Sequence, residues 1–286
     1  MRDDVTRIER IIFDACLLEA TARKAGNVHP EASFEHLCYE DFVRSAEAVA
    51  SVLATSRETG IGTAILNAVQ ATKAVCAHNS NLGIILLLAP LAAVPLEVSL
   101  RDGIAGVLSS MGVEDSRLVF QAIRIAAPRG LGDSETEDVD SEPTLPLVEI
   151  MNLAANRDLI AQQYSTCFEM VFQFSENILD NEFVLSDWES QVVRLQLELM
   201  AATPETDILR KCGETEAKEA SIRARAVLDA GWPESPAAKL LFAEFDVWLR
   251  EEGSRRNPGT AADLVTACLF VALREGRITM PDQLAN

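Results

Sequence analysis

Apolar residues recur at intervals of three and four along most of the chain. Near the N-terminus the series runs Ile8, Ile11, Ile12, Ala15 and Leu18, and similar series follow. This spacing places apolar side chains on one face of an α-helix. Alternating patterns, which are typical of strands, do not persist. We therefore predict an all-α fold, a single-domain bundle of about ten or more helices over residues 1–286.

Eleven helical segments are predicted, one of them with a break near Asn156. They fall near residues 4–23, 39–57, 61–77, 82–96, 114–126, 145–182, 186–201, 205–211, 213–230, 234–252 and 259–275. The segment 82–96 is a run of 15 uncharged, mostly apolar residues that contains Pro90 and Pro95. It is too short and too interrupted to span a bilayer, so we expect a helix buried in the core.

Residues 133–142 (DSETEDVDSE) carry six acidic side chains in ten positions and no apolar periodicity. Such a composition is typical of a solvated segment, so we predict an acidic, mobile surface loop here.

The charge balance narrows the range of partners. The chain of 286 residues has 25 Lys and Arg against 44 Asp and Glu, a net charge of −19, and 48% of it is hydrophobic. This is enough apolar material for a core, while the negative charge disfavours nucleic acid and anionic membranes as partners.

The charged start of the sequence (MRDDVTRIER) lacks the apolar segment of a signal peptide, so a cytoplasmic location is expected. A homodimer is possible.

No common catalytic signature is present. The sequence contains neither a GxxxxGK[ST] phosphate loop nor a GxSxG or HExxH motif, so it does not indicate the usual nucleotide-binding and hydrolase folds. What remains are clusters of polar residues beside apolar helices.

Two such clusters lie in the N-terminal third of the chain. Residues 23–28 (RKAGNV) end the first helix, where the cations complement the helix dipole, and Glu19, five residues before Lys24, orients the Lys24 ammonium or binds a metal ion. Residues 79–83 (NSNLG) precede the most apolar helix, where they cap its amides or leave them open to a phosphate or a carboxylate.

Two further clusters lie towards the C-terminus. Asp207 has Arg210 and Lys211 one turn away, which is typical of a surface ion pair. Asp263 lies within an apolar run, and a carboxylate there needs a partner. It is the most suggestive single residue.

These clusters, in this order, resemble the triphosphoribosyl-dephospho-CoA synthase family. The family has five sequence blocks, and each has a similar stretch here. The block E…PKPGLV is similar to Glu19 with residues 23–28, D-x-F-x-x-S-A to residues 41–46, and NTHKG to residues 79–83. The block DTNhhxRxG (h, hydrophobic) is similar to residues 205–213, and G-[ST]-A-D-L to residues 259–264. The His and Lys of NTHKG are replaced by Asn81 and Leu82, and the first Asp of DTN by Glu205. Loss of that Lys is expected to weaken the binding of a triphosphate.

The resemblance implies an enzyme that joins ATP and 3′-dephospho-CoA, transferring a triphosphoribosyl group and releasing adenine, with Mg²⁺ as cofactor. The product would be the precursor of a prosthetic group. Two alternatives remain open: transfer of a ribosyl phosphate to a pterin-type or aromatic cofactor precursor, and a non-catalytic nucleotide-binding protein.

Candidate roles for individual residues follow from this chemistry. Glu19 and Asp263 are candidate catalytic carboxylates, and with Asp207 they are candidate metal ligands. The candidate ATP and phosphate ligands are Lys24, Gly26, Asn27, Asn79, Ser80, Asn81, Gly83, Arg210, Lys211, Gly259 and Thr260.

Overall fold

The computed structural model describes residues 2–128, 136–178 and 187–284, and within them it confirms the all-α prediction. Helices make up 68% of this part of the chain, and only two isolated β-bridges occur there. The fifteen helices are α1 (Arg2–Thr21), α2 (Tyr39–Leu53), α3 (Ser56–Thr59), α4 (Ile61–Val75), α5 (Leu82–Ala92), α6 (Leu100–Ser109), α7 (Val113–Ala126), α8 (Leu147–Ala154), α9 (Leu159–Ser165), α10 (Glu169–Asn177), α11 (Trp188–Ala202), α12 (Thr206–Cys212), α13 (Glu214–Asp229), α14 (Pro236–Arg250) and α15 (Gly259–Arg274).

The structure differs from the predicted segments at several places. Helix α6 was not predicted, and the predicted helix 39–57 is divided into α2 and α3. The predicted segment 145–182 forms three helices, because Asp158 caps the start of α9 and Cys167 and Phe168 adopt left-handed backbone conformations before α10. Residues 179–182 and 186 of the predicted segments lie outside the described residues.

The predicted acidic loop is only partly described, since residues 133–135 fall outside the structure's described ranges. Residues 136–142 form no helix or strand, as predicted. They are nevertheless held by specific contacts: Arg124 donates to the Val139 carbonyl, and Glu142 pairs with Arg117 at 2.7 Å.

Helices α5 and α15 lie at the centre of the main core. Ten of the eleven α5 residues are buried, and α15 buries residues on every side. A helix that is apolar all round must be surrounded by other helices, and α1, α2, α4 and α10 pack around this central pair. In the described residues no helix combines the length and hydropathy that crossing a membrane requires.

A second, smaller core forms around α11–α14. Helix α11 belongs to both cores: Val192, Leu195 and Leu199 face the main core, and Val193 and Leu197 face the smaller one. The loops that precede α12 and α15 therefore lie where the two cores meet. This arrangement positions the candidate site.

Candidate active site

A cavity of about 940 Å³ opens beside the first turns of α5, α12 and α15. One side is polar and carries most of the predicted site residues. The opposite side is apolar and comes mainly from α7 and α8. Its residues include Val119, Phe120, Ile123, Leu147, Ile150 and Met151.

Asp263 lies in the second turn of α15 and faces the N-terminal end of α5. The Ile84 amide donates a hydrogen bond to its carboxylate. Gly83 makes this approach possible, because a Cβ added there would overlap Asp263 Oδ2 and Cγ. A negative charge at the amino end of a helix is stabilised by the helix dipole.

The surroundings of Asp263 disfavour its charged form. Burial raises the pKa of Asp263 well above its usual range, and the neighbouring carboxylates Glu19, Asp207 and Glu205 raise it further, against the Ile84 hydrogen bond. A carboxyl group with a strongly raised pKa is suited to holding and transferring a proton.

Glu205 joins the first turns of α12 and α15 from behind the cavity. Its carboxylate accepts hydrogen bonds from the amides of Ile208 (2.5 Å), Thr260 (2.7 Å) and Ala261 (3.2 Å). Burial and the charge of Asp207 raise the pKa of Glu205 to about 7, despite these three donors. The carboxyl group fixes the relative positions of two cavity-lining segments.

Asp207 is buried, and both predicted cations bind it. Arg210 lies 2.6 Å from one carboxylate oxygen and Lys211 2.5 Å from the other. All three residues line the cavity, and Arg210 also approaches Asp158 at 3.9 Å. The predicted surface ion pair is therefore a partly buried group of one acid and two cations.

Glu19 lines the cavity, whereas Lys24 lies behind it. The Lys24 ammonium is fully buried, pairs with Glu19 Oε1 at 3.0 Å, and donates to the carbonyls of Glu19 and Ala22 at the end of α1. With all of these partners inside the protein, Lys24 is not available to a phosphate, contrary to the prediction. It holds Glu19 in place.

The loop before α5 lines the cavity, and three of the amides at the start of that helix are bonded within the protein. Asn79 Oδ1 accepts from the Leu82 amide at 3.1 Å, Ile84 donates to Asp263, and Ile85 donates to the Asn81 carbonyl at 2.9 Å. Ser80 bonds to Ser45 and Asn81 to Thr72. Asn79 therefore caps the helix, whereas Ser80 and Asn81 bond to side chains of α2 and α4, and the Ile84 amide binds a carboxylate, that of Asp263.

The turn after α1 also differs from the prediction at one residue. Gly26 does not line the cavity: it has a positive φ of 73° and donates its amide to Asp246 at 2.7 Å. Asn27 does line the cavity, and its side chain donates to Asn257 at 2.9 Å. Gly259 and Thr260 complete this wall at the start of α15.

A metal site made of Glu19, Asp207 and Asp263 alone is not present. No group of three or more His, Cys, Asp or Glu side chains is arranged to hold a metal ion in the described ranges, and Glu19 and Asp207 are paired with cations. Mg²⁺ usually binds one or two carboxylates and takes its other ligands from substrate phosphates and water. The carboxylate oxygens of Asp207 keep lone pairs beside Arg210 and Lys211, so Asp207 meets that requirement.

Three contributors to the site were not predicted from the sequence. Glu205 appeared only as a replacement within a motif, and Asn257 lies two residues before the block 259–264, outside it. Gln196 escaped notice, although a polar residue within the apolar stripe Val192, Leu195 and Leu199 is the kind of signal that points to a buried network.

The match to a family of transferases shows that the protein is an enzyme of the transferase class. The sequence model of the family CitG, ATP:dephospho-CoA triphosphoribosyl transferase, matches residues 5–281, and the chain belongs to that family. The activity of the family is triphosphoribosyl transfer to dephospho-CoA.

The structure is similar to that of a candidate triphosphoribosyl-dephospho-CoA synthase from Archaeoglobus fulgidus. The TM-score is 0.66 at 25% sequence identity, and the match covers 82% of this chain and 99% of that chain. No curated protein gives a significant match.

Proposed function

We propose that this protein transfers the 5-triphosphoribosyl group of ATP to a hydroxyl of 3′-dephospho-CoA and releases adenine. The main support for this proposal is that three acidic residues and two cations line the same cavity: Glu19, Asp207, Asp263, Arg210 and Lys211. Family membership favours an enzyme over a non-catalytic nucleotide-binding protein.

The cations Arg210 and Lys211 are assigned to binding the phosphates of the substrate. Arg210 and Lys211 are charged donors on the cavity wall, and a phosphate chain can accept from them beside Asp207 and Asp158. In a chain of net charge −19, two cations together on one cavity wall matter for binding an anionic substrate. The triphosphate of ATP is therefore assigned to this corner.

The bond between ribose C1′ and the adenine base breaks as the acceptor oxygen bonds to C1′. Positive charge develops on the ribose, and Glu19, held by Lys24, stabilises it. Asp263, whose raised pKa keeps its carboxyl protonated, gives that proton to the departing adenine and takes one from the acceptor hydroxyl. Atoms and charge balance, and no other reactant is needed.

The apolar side of the cavity complements this assignment. Phe120, Ile123 and Met151 offer a surface for a purine ring or for the uncharged arm of dephospho-CoA. Asp207 would hold an Mg²⁺ ion brought with the triphosphate, through the lone pairs that Arg210 and Lys211 leave free, and that ion would neutralise part of the phosphate charge. A cavity of about 940 Å³ lies at the upper end of the range for small-molecule sites.

The proposal is tested by mass spectrometry after incubation of the purified protein with ATP, dephospho-CoA and MgCl₂. We expect free adenine and a product equal to dephospho-CoA plus ATP minus adenine. Release of ADP or phosphate without adenine would refute it. Replacing dephospho-CoA by pterin-type and aromatic precursors tests the alternative acceptors in the same assay.

A further inference from the structure

Three amide side chains form a row from the smaller core to the cavity wall. Gln196 is fully buried on α11, Asn27 follows it, and Asn257 lies on the cavity wall just before α15. Gln196 Nε2 donates to Asn27 Oδ1 at 2.8 Å, and Asn27 Nδ2 donates to Asn257 Oδ1 at 2.9 Å.

The direction of this row is set at its buried end. Gln196 Nε2 also donates to the Ala25 carbonyl at 2.9 Å, and a carbonyl can only accept. Gln196 must therefore turn its NH₂ group towards Ala25 and Asn27. Asn27 in turn must present its oxygen to Gln196 and its NH₂ group to Asn257.

The opposite orientation of Gln196 is disfavoured even though the present one has a cost. Gln196 Oε1 is buried and has no hydrogen-bond partner. An unpaired buried oxygen is expensive, and it persists only where stronger constraints hold the amide. Two donated hydrogen bonds are that constraint.

The row ends with an amide nitrogen at the cavity. Asn257 uses its oxygen to accept from Asn27, so Nδ2 is left on the other side, and in the described part of the chain it donates to no protein acceptor. A methyl group built on Gly259 would lie 3.7 Å from this nitrogen and 3.0 Å from Asp207 Oδ2. The donor therefore lies beside the corner that holds Arg210 and Lys211.

We infer that Asn257 donates a hydrogen bond to a phosphate oxygen of the substrate, and that Gln196 is a positioning residue that fixes the direction of this donor through Asn27. The inference rests on the proposed function for the identity of the substrate. It adds a neutral, directional donor to the two cations of the phosphate corner.

The test uses inorganic tripolyphosphate as the probe, because its binding requires no turnover. Calorimetric titration compares the wild type with Asn257→Ala, Gln196→Leu and the double variant. Asn257→Ala should weaken binding about 10- to 100-fold, as expected for losing a hydrogen bond to a charged group. Gln196→Leu should weaken it about 3- to 10-fold, and it should have no further effect in the Asn257→Ala background.

Gln163→Leu is the matched control. Gln163 is equally buried, but it bonds to the Leu159 carbonyl and the Val171 amide, away from the cavity. Tripolyphosphate affinity should not change in this variant. Circular dichroism and melting temperatures show whether each variant is folded. Asn257 is only half-buried, so the Asn257→Ala variant is expected to fold. If Gln196→Leu does not fold, the tripolyphosphate affinity of Asn257→Ala alone tests the inference.

Turnover provides a second readout. Asn257→Ala should raise the KM for ATP with kcat changed less than about threefold, as expected for loss of binding shared by ground state and transition state. Unchanged tripolyphosphate affinity in Asn257→Ala, or additive effects in the double variant, would overturn the inference. Absence of adenine release by a wild type that binds tripolyphosphate would instead overturn the proposed function alone.

Discussion

Gly83→Ala is a small change that should displace the central carboxylate of the site. Gly83 lies in the first turn of α5 with the Asp263 side chain directly against it. A Cβ at this position would overlap Asp263 Oδ2 and Cγ, and even Asp263 Cβ would lie only 3.1 Å away, whereas ordinary contact begins near 3.4 Å. The carboxylate must retreat by more than about 1 Å, a displacement that can cost ~100-fold in rate.

The effect on stability should be much smaller than the effect on rate. Overpacking lowers the free energy of unfolding by about 1–3 kcal/mol, while replacing glycine by alanine within a helix raises it by about 0.5–1 kcal/mol. The net loss is therefore about 0–2.5 kcal/mol, and the enzyme should remain folded. Adenine release should fall at least ~100-fold in kcat/KM.

Gly106→Ala serves as the matched control. Gly106 lies inside α6, and an added Cβ there meets no atom within 4 Å. This variant should gain about 0.5–1 kcal/mol and keep wild-type kcat/KM. Urea unfolding and initial rates of adenine release measure both effects. A Gly83→Ala enzyme with wild-type kcat/KM would refute the position or the importance assigned to Asp263.

Three further changes probe the electrostatics. Asp263→Asn should reduce the fall in stability with rising pH, because burial raises the pKa of Asp263 and the amide has no such proton to lose, whereas the exposed Asp229→Asn should leave that pH dependence unchanged and stay within ~0.5 kcal/mol; an unchanged pH dependence in Asp263→Asn would contradict this. The folded protein binds more protons at Glu205 than the unfolded chain between pH 4.5 and about 7, so stability should fall with rising pH in that window, by up to about 3 kcal/mol from this group. Glu205→Gln should lose that part of the slope, and an unchanged slope in denaturant titrations would contradict the assignment. Lys24→Met should cost about 3–5 kcal/mol by leaving Glu19 buried and unpaired, and the Lys24→Met, Glu19→Gln double variant should recover part of that loss; no recovery would exclude the ion pair as the cause.

The sequence predicts most helices because their apolar faces repeat with the period of a helix. Helix α6 was not predicted, since Gly103 and Gly106 lower the helix propensity of this short segment and Asp102-Gly103 is typical of a turn. A signal for its start was present: Ser99 accepts from the Asp102 amide, the S-x-x-D pattern of a helix N-cap.

The composition of the site is more predictable than the direction of its side chains. The family resemblance implied that Glu19, Asp207 and Asp263 share one site, and all three line the same cavity. The same reasoning placed Lys24 and Gly26 at the substrate, because spacing along the chain does not say whether a residue just after a helix turns towards the cavity or towards the helix end. Lys24 turns back to the carbonyls of α1.

The central claim is that the carboxylate at the junction of α5 and α15 takes part in breaking the bond between ribose and adenine. It is tested most directly by the rate of adenine release from saturating ATP, dephospho-CoA and Mg²⁺, measured side by side for the wild type and Asp263→Asn. We expect the wild type to release one adenine per product molecule and the folded Asp263→Asn protein to be slower by ~100-fold or more, the range for losing a general base. Equal rates for the two proteins would contradict the account.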